Sequence, residues 1–197
     1  MGEQIRPGLW RWSAPHPDWR PSERDDAPTS WPREVGCVLH RTDSDAVFID
    51  PLAPADDPAF WAWADELCQG RAVSVLETFH FHRRSREEFL ARYGAATTAP
   101  AGVLALPLPA FGETLLWIPV HRALVPGDTL ICGADGELRI CPQSWLDLID
   151  RRLTRAGLRA ALAQELAGLE VELVLVSHGE PVLQGGGAAL AGALAEP

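Results

Sequence analysis

Lysine is missing altogether from the 197 residues, and all 17 basic side chains are arginine. The absence reads as a coding bias, but it makes every side-chain cation a permanently charged, planar, forked donor. Positive charge as a whole is scarce. The 27 acids against 17 bases leave a formal charge of −10, which excludes the basic stripe that a nucleic-acid surface needs. Cysteine is sparse too: Cys37, Cys68, Cys132 and Cys141 are scattered with no CxxC pair. That excludes a dense disulfide framework and a cysteine-type zinc site, and fits a reducing compartment. Long apolar runs are lacking. None reaches membrane-spanning length, and the opening MGEQIRPGLW has no signal-peptide core. A cytoplasmic protein with no membrane and no nucleic-acid partner is the expectation.

What is present is the balance of an ordinary globular chain, 47% hydrophobic and 22% charged, long enough to bury a sizeable core. Residues 1–34 set Trp10, Trp12, Trp19 and Trp31 among Pro7, Pro15, Pro17, Pro21, Pro28 and Pro32. Such a segment cannot be a long helix. It reads as an irregular arm whose rings either pack on the domain formed by residues 35–197 or wall a pocket in it.

From Val35 the pattern becomes regular. Residues 36–40 and 46–49, joined by Thr42-Asp43-Ser44-Asp45, read as a hairpin. Asp57-Pro58 opens a helix with Phe60, Trp61, Ala64, Leu67 and Cys68 at helical spacing and Gly70 as the stop. An apolar strand follows over residues 73–78. Ser85-Arg86-Glu87-Glu88 has the form of a capping box, opening a helix that ends at Gly94. Strands are expected over 103–106, 114–118, 123–125 and 129–132, and a helical region over about 144–166 with a break at Gly157. An aliphatic strand over 171–176 and a short Ala/Leu helix after Gly185–Gly187 complete the chain. Strands alternating with helices in two halves suggest an α/β (α+β) layered sandwich. The Ala/Leu/Gly-rich end and the scattered Trp residues are candidates for a homodimer contact.

Three strand ends carry the chemistry: Thr78-Phe79-His80-Phe81-His82, Gly127-Asp128-Thr129, and Ser177-His178-Gly179-Glu180. Strand ends are where sheets place ligands. Two histidines at i, i+2 on an extended segment point the same way. With an Asp and a third His they make an N/O donor set that suits Zn, Fe or Mn better than Mg.

The order "VFIDPL", "SVLETFHFHRRS", "ALVPGDTLICG", "LVLVSHGEP" resembles the metallo-β-lactamase superfamily, particularly its thioester-hydrolase and lactonase-like branches, from about Val35 to the end. The resemblance implies an αββα sandwich with a one- or two-metal hydrolytic site. Against the family's HxHxDH motif, His80 and His82 match the first two ligands, whereas Arg84 takes the Asp position and Ser85 the third His position. In Pro109-Ala110-Phe111-Gly112-Glu113-Thr114 the next His is replaced by Pro109. Asp128 matches the bridging Asp, His178 the last His, and Asp50 an Asp that supports the site from below. The resemblance thus implies at most one divalent metal, held by His80, His82 and Asp128, with His178 as a further ligand or as a base. It implies a small ester, thioester or lactone substrate, oriented, if anionic, by Arg83 and Arg84.

Other readings of the same residues stand beside this one. Arg84, flanked by Arg83 and Arg86, would repel a second cation, and could instead hold a small anion in a metal-free enzyme or an inactive binding module. Ser85 is either a nucleophile backed by His178 or simply the helix cap. Asp128 and His178 could serve only their turns. His16, His40 and His121 fall outside the motifs and read as surface groups. Asp135 in "CGADG" reads as a turn residue.

Overall fold

The computed structural model describes residues 2–22 and 30–195. Pro28 of the expected arm lies outside the described residues.

Two sheets stack face to face with helices on both outer faces. The first has strand order β1-β2-β3-β4-β5, from β1 (Glu3–Arg6), β2 (Leu9–Pro15), β3 (Glu34–Arg41), β4 (Asp45–Ile49) and β5 (Ala72–Leu76). All its pairs are antiparallel except β4 with β5, which the helix α1 (Pro58–Cys68) joins as a crossover. The second has order β11-β8-β7-β6, from β6 (Leu104–Leu108), β7 (Glu113–Ile118), β8 (Ala123–Val125) and β11 (Leu173–Val174). The hairpin β9 (Leu130–Cys132) with β10 (Leu138–Ile140) stands apart. Helix α2 (Arg86–Tyr93) follows β5, and α3 (Gln143–Ile149), α4 (Arg155–Glu165) and α5 (Gly186–Ala195) follow β10.

The period of two along each strand explains the layering. On β4, Ala46 and Phe48 face α1 and α2, packing with Phe60, Ala64 and Phe89. Val47 and Ile49 point the other way, into the space between the sheets, where they meet Leu116 and Ile118 of β7. On β7, Leu115 and Trp117 join Leu158, Leu162 and Leu190 under α4 and α5. Strands buried on both faces read as continuous apolar runs, as these do.

Helix α1 starts where its sequence dictates. The Asp57 carboxylate accepts the N–H groups of Ala59 and Phe60 at 3.0 Å each, and Pro58 occupies the first turn. Helix α2 starts differently. Ser85 makes no capping bond; its hydroxyl accepts Ala53 N–H at 3.0 Å, because its backbone (φ −90°, ψ 16°) is not in the extended region a cap requires. The expected long helix is two, α3 and α4, and the break falls at residues 150–154, with Gly157 inside the first turn of α4 and bonded to Thr154 Oγ1.

Within the N-terminal segment residues 3–6 and 9–15 form strands where an irregular arm was expected, and the other described residues up to 33 are irregular. Leu9–Pro15 pair residue for residue with Glu34–His40. Trp10 and Trp12 are core residues, and Trp12 donates its indole N–H to the Leu52 carbonyl at 2.9 Å. Among the described residues no helix is long and apolar enough to cross a membrane. All four cysteines are free and buried.

Candidate functional site

The loops at one end of the two sheets converge on three side chains. His82, Asp128 and His178 each bring one donor atom within 4.8 Å of the other two. Asp128 Oδ1 accepts a hydrogen bond from His82 Nε2 at 3.0 Å and from His178 Nε2 at 3.1 Å. His82 is held from behind: its Nδ1 donates to Asp50 Oδ2 at 2.9 Å. The other Asp50 oxygen accepts Thr78 N–H at 2.8 Å, and the Thr78 hydroxyl also donates to Asp50. Asp50 closes β4 at φ 48°, in the left-handed region that Asp tolerates better than most residues.

Charge follows from this packing. Burial and Arg84 push the His82 imidazolium down, but Asp128 and Asp50 outweigh them and raise it to about 9. Despite burial, His82 and His178 hold Asp128 well below the usual carboxylate range. Burial lowers His178, which is therefore a neutral donor to Asp128. Without a metal the group is an imidazolium bridging two carboxylates, with a second, neutral imidazole on one of them.

His80 stands outside this group, which corrects its assignment as a metal ligand. Residues 80–83 form a 3₁₀ turn, with His82 N–H bonded to the Phe79 carbonyl at 2.8 Å. At three residues per turn, positions i and i+2 diverge instead of aligning as on a strand. His82 is buried. His80 is exposed, its ring against Phe79 and Phe81.

The two arginines do different things from those expected of them. Arg83 is turned to solvent and paired with Glu87 at 2.8 Å, and Arg86 pairs with Glu77 and Glu87. Arg84 has φ 40° and borders the site, but its NH1 donates to the carbonyls of Gly36 (2.9 Å) and Asp50 (2.8 Å), and its NH2 to Ser177 Oγ at 2.5 Å. It is a tie between loops. Ser85 is held by Ala53 and is not among the residues lining the cavity beside His178, so it is not placed as a nucleophile.

Pro109 begins a short turn, and the residue from that segment that reaches the site is Glu113. Its buried carboxylate accepts Gly127 N–H at 3.0 Å, Asp128 N–H and Thr129 N–H at 2.8 Å each, and the Thr129 hydroxyl at 2.5 Å. These four bonds fix the loop that carries Asp128. Burial, together with the Asp128 charge, pushes Glu113 up to about 7 against the pull of those donors. The sequence signal was an acid two residues before the apolar run Leu115–Ile118, at the start of a buried strand.

A cavity of about 360 Å³ opens over His82, Asp128 and His178. Trp31 and Trp145 pack edge-on against the His178 ring, with centroids at 5.6 and 5.2 Å. Trp31 and His16, themselves 5.1 Å apart, bring the N-terminal segment into the wall. His40 and His121 are not surface groups. Both are buried, Nδ1 to Nε2 at 3.2 Å, beneath Gly8.

The donor set fits one cation. Two imidazole nitrogens and a carboxylate oxygen converge, and a carboxylate behind His82 fixes its tautomer as metal-binding histidines require. Arg84 borders the same cavity, and its fixed charge opposes a second cation there.

Known structures share this architecture. The crystal structure of DIM-1 metallo-beta-lactamase superposes with a TM-score of 0.56 at 11% identity, over 97% of this chain and 95% of that one. The BLEG-1 B3 metallo-beta-lactamase gives 0.55 at 14% identity over 87% and 92%. A metallo-beta-lactamase family protein from Thermus thermophilus gives 0.50 at 15% identity over 92% and 76%. With 97% of the chain covered, the likeness takes in the N-terminal strands, whereas the sequence resemblance begins near Val35. No family model and no curated sequence matches the chain. The likeness therefore rests on three-dimensional structure, and what it establishes is that the protein has the metallo-β-lactamase fold.

Proposed function

We propose that the protein is a single-metal hydrolase of a small ester, thioester or lactone. The observation that carries this reading is the convergence of one donor atom each from His82, Asp128 and His178 within 4.8 Å, with Asp50 behind His82. These three residues would hold the ion, and the N/N/O set favours zinc, with iron or manganese as the alternatives. A divalent cation there polarises a carbonyl and lowers the pKa of water.

The chain's own residues prepare the site. Asp50 keeps the His82 proton on Nδ1 and so leaves Nε2 for the ion. Glu113 holds the Asp128 loop. Arg84 keeps the site to one cation by opposing a second. Trp31 and Trp145 shield His178 from water, which strengthens the electrostatics around it. The pairing of Arg83 with Glu87 speaks against the alternative of an Arg-lined module for anions.

Metal analysis of protein purified without chelator, followed by zinc titration, tests the first step. One equivalent bound by the natural protein and none by His82→Ala is the expected result, with thioester or lactone turnover abolished by EDTA. No bound metal in either protein would remove the reading.

A further inference from the structure

We propose that the cavity selects an uncharged substrate with an apolar, ring-sized group and excludes anionic ones. This deepens the hydrolase reading and rests on it for the reaction, though not for the binding. Size comes first: about 360 Å³ lies at the lower end of the ~300–1,000 Å³ of small-molecule pockets. The walls are Trp31, Trp145, Phe79, Phe81, Leu148 and Ile149. Phe81 and Leu148 are 56% and 59% exposed, which places uncovered apolar surface beside the cavity. Apolar surface at the rim suits an apolar group in the ligand.

Charge comes second. Among the described residues the lining carboxyl groups are Asp18, Glu113 and Asp128, the last two already hydrogen-bonded within the protein, and the lining guanidinium is Arg84. Arg84, the guanidinium, already donates to the carbonyls of Gly36 and Asp50 and to Ser177. An incoming carboxylate or phosphate therefore meets no free arginine fork among the described lining residues, and it would add a negative charge beside Asp18 and Asp128. Three lining residues also keep a buried polar atom without a protein partner: Trp145 Nε1, Arg84 Nε and His178 Nδ1. The first two can only donate, and one neutral carbonyl oxygen with two lone pairs satisfies them without bringing a further charge into a buried site.

The test uses two ligands of the same shape and different charge, 4-phenylbutanamide and 4-phenylbutanoate, titrated calorimetrically into EDTA-treated full-length protein. Removing metal keeps the result independent of whether the hydrolase reading holds. The amide is expected to bind about tenfold tighter than the carboxylate. Trp31→Ala and Phe81→Ser are expected to weaken the amide about fivefold or more. Phe81 is exposed, whereas Trp31 is half-buried against the core, so circular dichroism and urea unfolding check that both variants keep the fold. Equal or tighter binding of the carboxylate overturns the proposal, as does amide binding that neither substitution changes or no binding of either compound. Loss of metal binding with the amide preference intact would instead remove the hydrolase reading alone.

Discussion

Asp50→Asn is the substitution that separates the scaffold from the chemistry. The change keeps the size of the side chain, and Asn tolerates the left-handed φ of 48°. Its single oxygen still accepts Thr78 N–H. Its amide N–H₂ then faces His82 Nδ1, where the natural carboxylate accepts at 2.9 Å. Two N–H groups cannot face one another, so the ring gives up its Nδ1 proton and keeps the one on Nε2, the atom that would hold the ion. Removing such a supporting carboxylate costs about 10–100-fold in metal affinity, equivalent to about 1.4–2.8 kcal/mol. Folding itself loses about 1–3 kcal/mol, since one buried charged bond is replaced by a neutral contact. Competition for zinc against a chromogenic chelator reads the first quantity, and urea unfolding in EDTA reads the second. A folded Asp50→Asn protein with the zinc affinity of the natural chain would refute the reasoning, because Asp50 would then not govern the His82 tautomer.

Three further outcomes are expected. Glu113→Ala leaves three backbone N–H groups and the Thr129 hydroxyl without their acceptor, and urea unfolding should show a loss of about 3–5 kcal/mol. Gly179→Ala places a Cβ 2.2 Å from the Cys132 carbonyl oxygen at φ 91°; thermal denaturation should report about 3 kcal/mol or more of destabilisation. The buried His40–His121 pair makes stability pH-dependent. Burial, and His40 beside it, lower His121 from 6.5 to about 4, so between those values the unfolded chain binds the proton and the folded chain does not. Stability from this ring is present above pH 6.5 and is lost as pH falls towards 4. The slope of a urea-midpoint profile over that window should flatten in His121→Asn, and an unchanged slope would assign it to other groups.

The alternation along residues 46–49 and 114–118, the Asp57-Pro58 start of α1 and the Gly94 stop of α2 were legible because each depends on neighbours a few residues away. So was the grouping of Asp50, His82, Asp128 and His178 at strand ends, given the resemblance. Local signals failed where a distant partner competed. Ser85 has the sequence of a cap, yet Ala53 takes its hydroxyl. The tryptophan-rich start looked irregular because the partner of β2 lies some twenty residues on, in β3.

The sequence by itself determined the layered sandwich, the acidic surface and the few residue types able to hold an ion, since these follow from period, composition and donor chemistry. Only the tertiary structure decided which of two neighbouring histidines enters the site, because a 3₁₀ turn replaces the strand on which both would have aligned. It alone showed that Arg84 ties loops together and that Glu113 anchors Asp128, because both roles depend on hydrogen bonds between segments far apart in the chain.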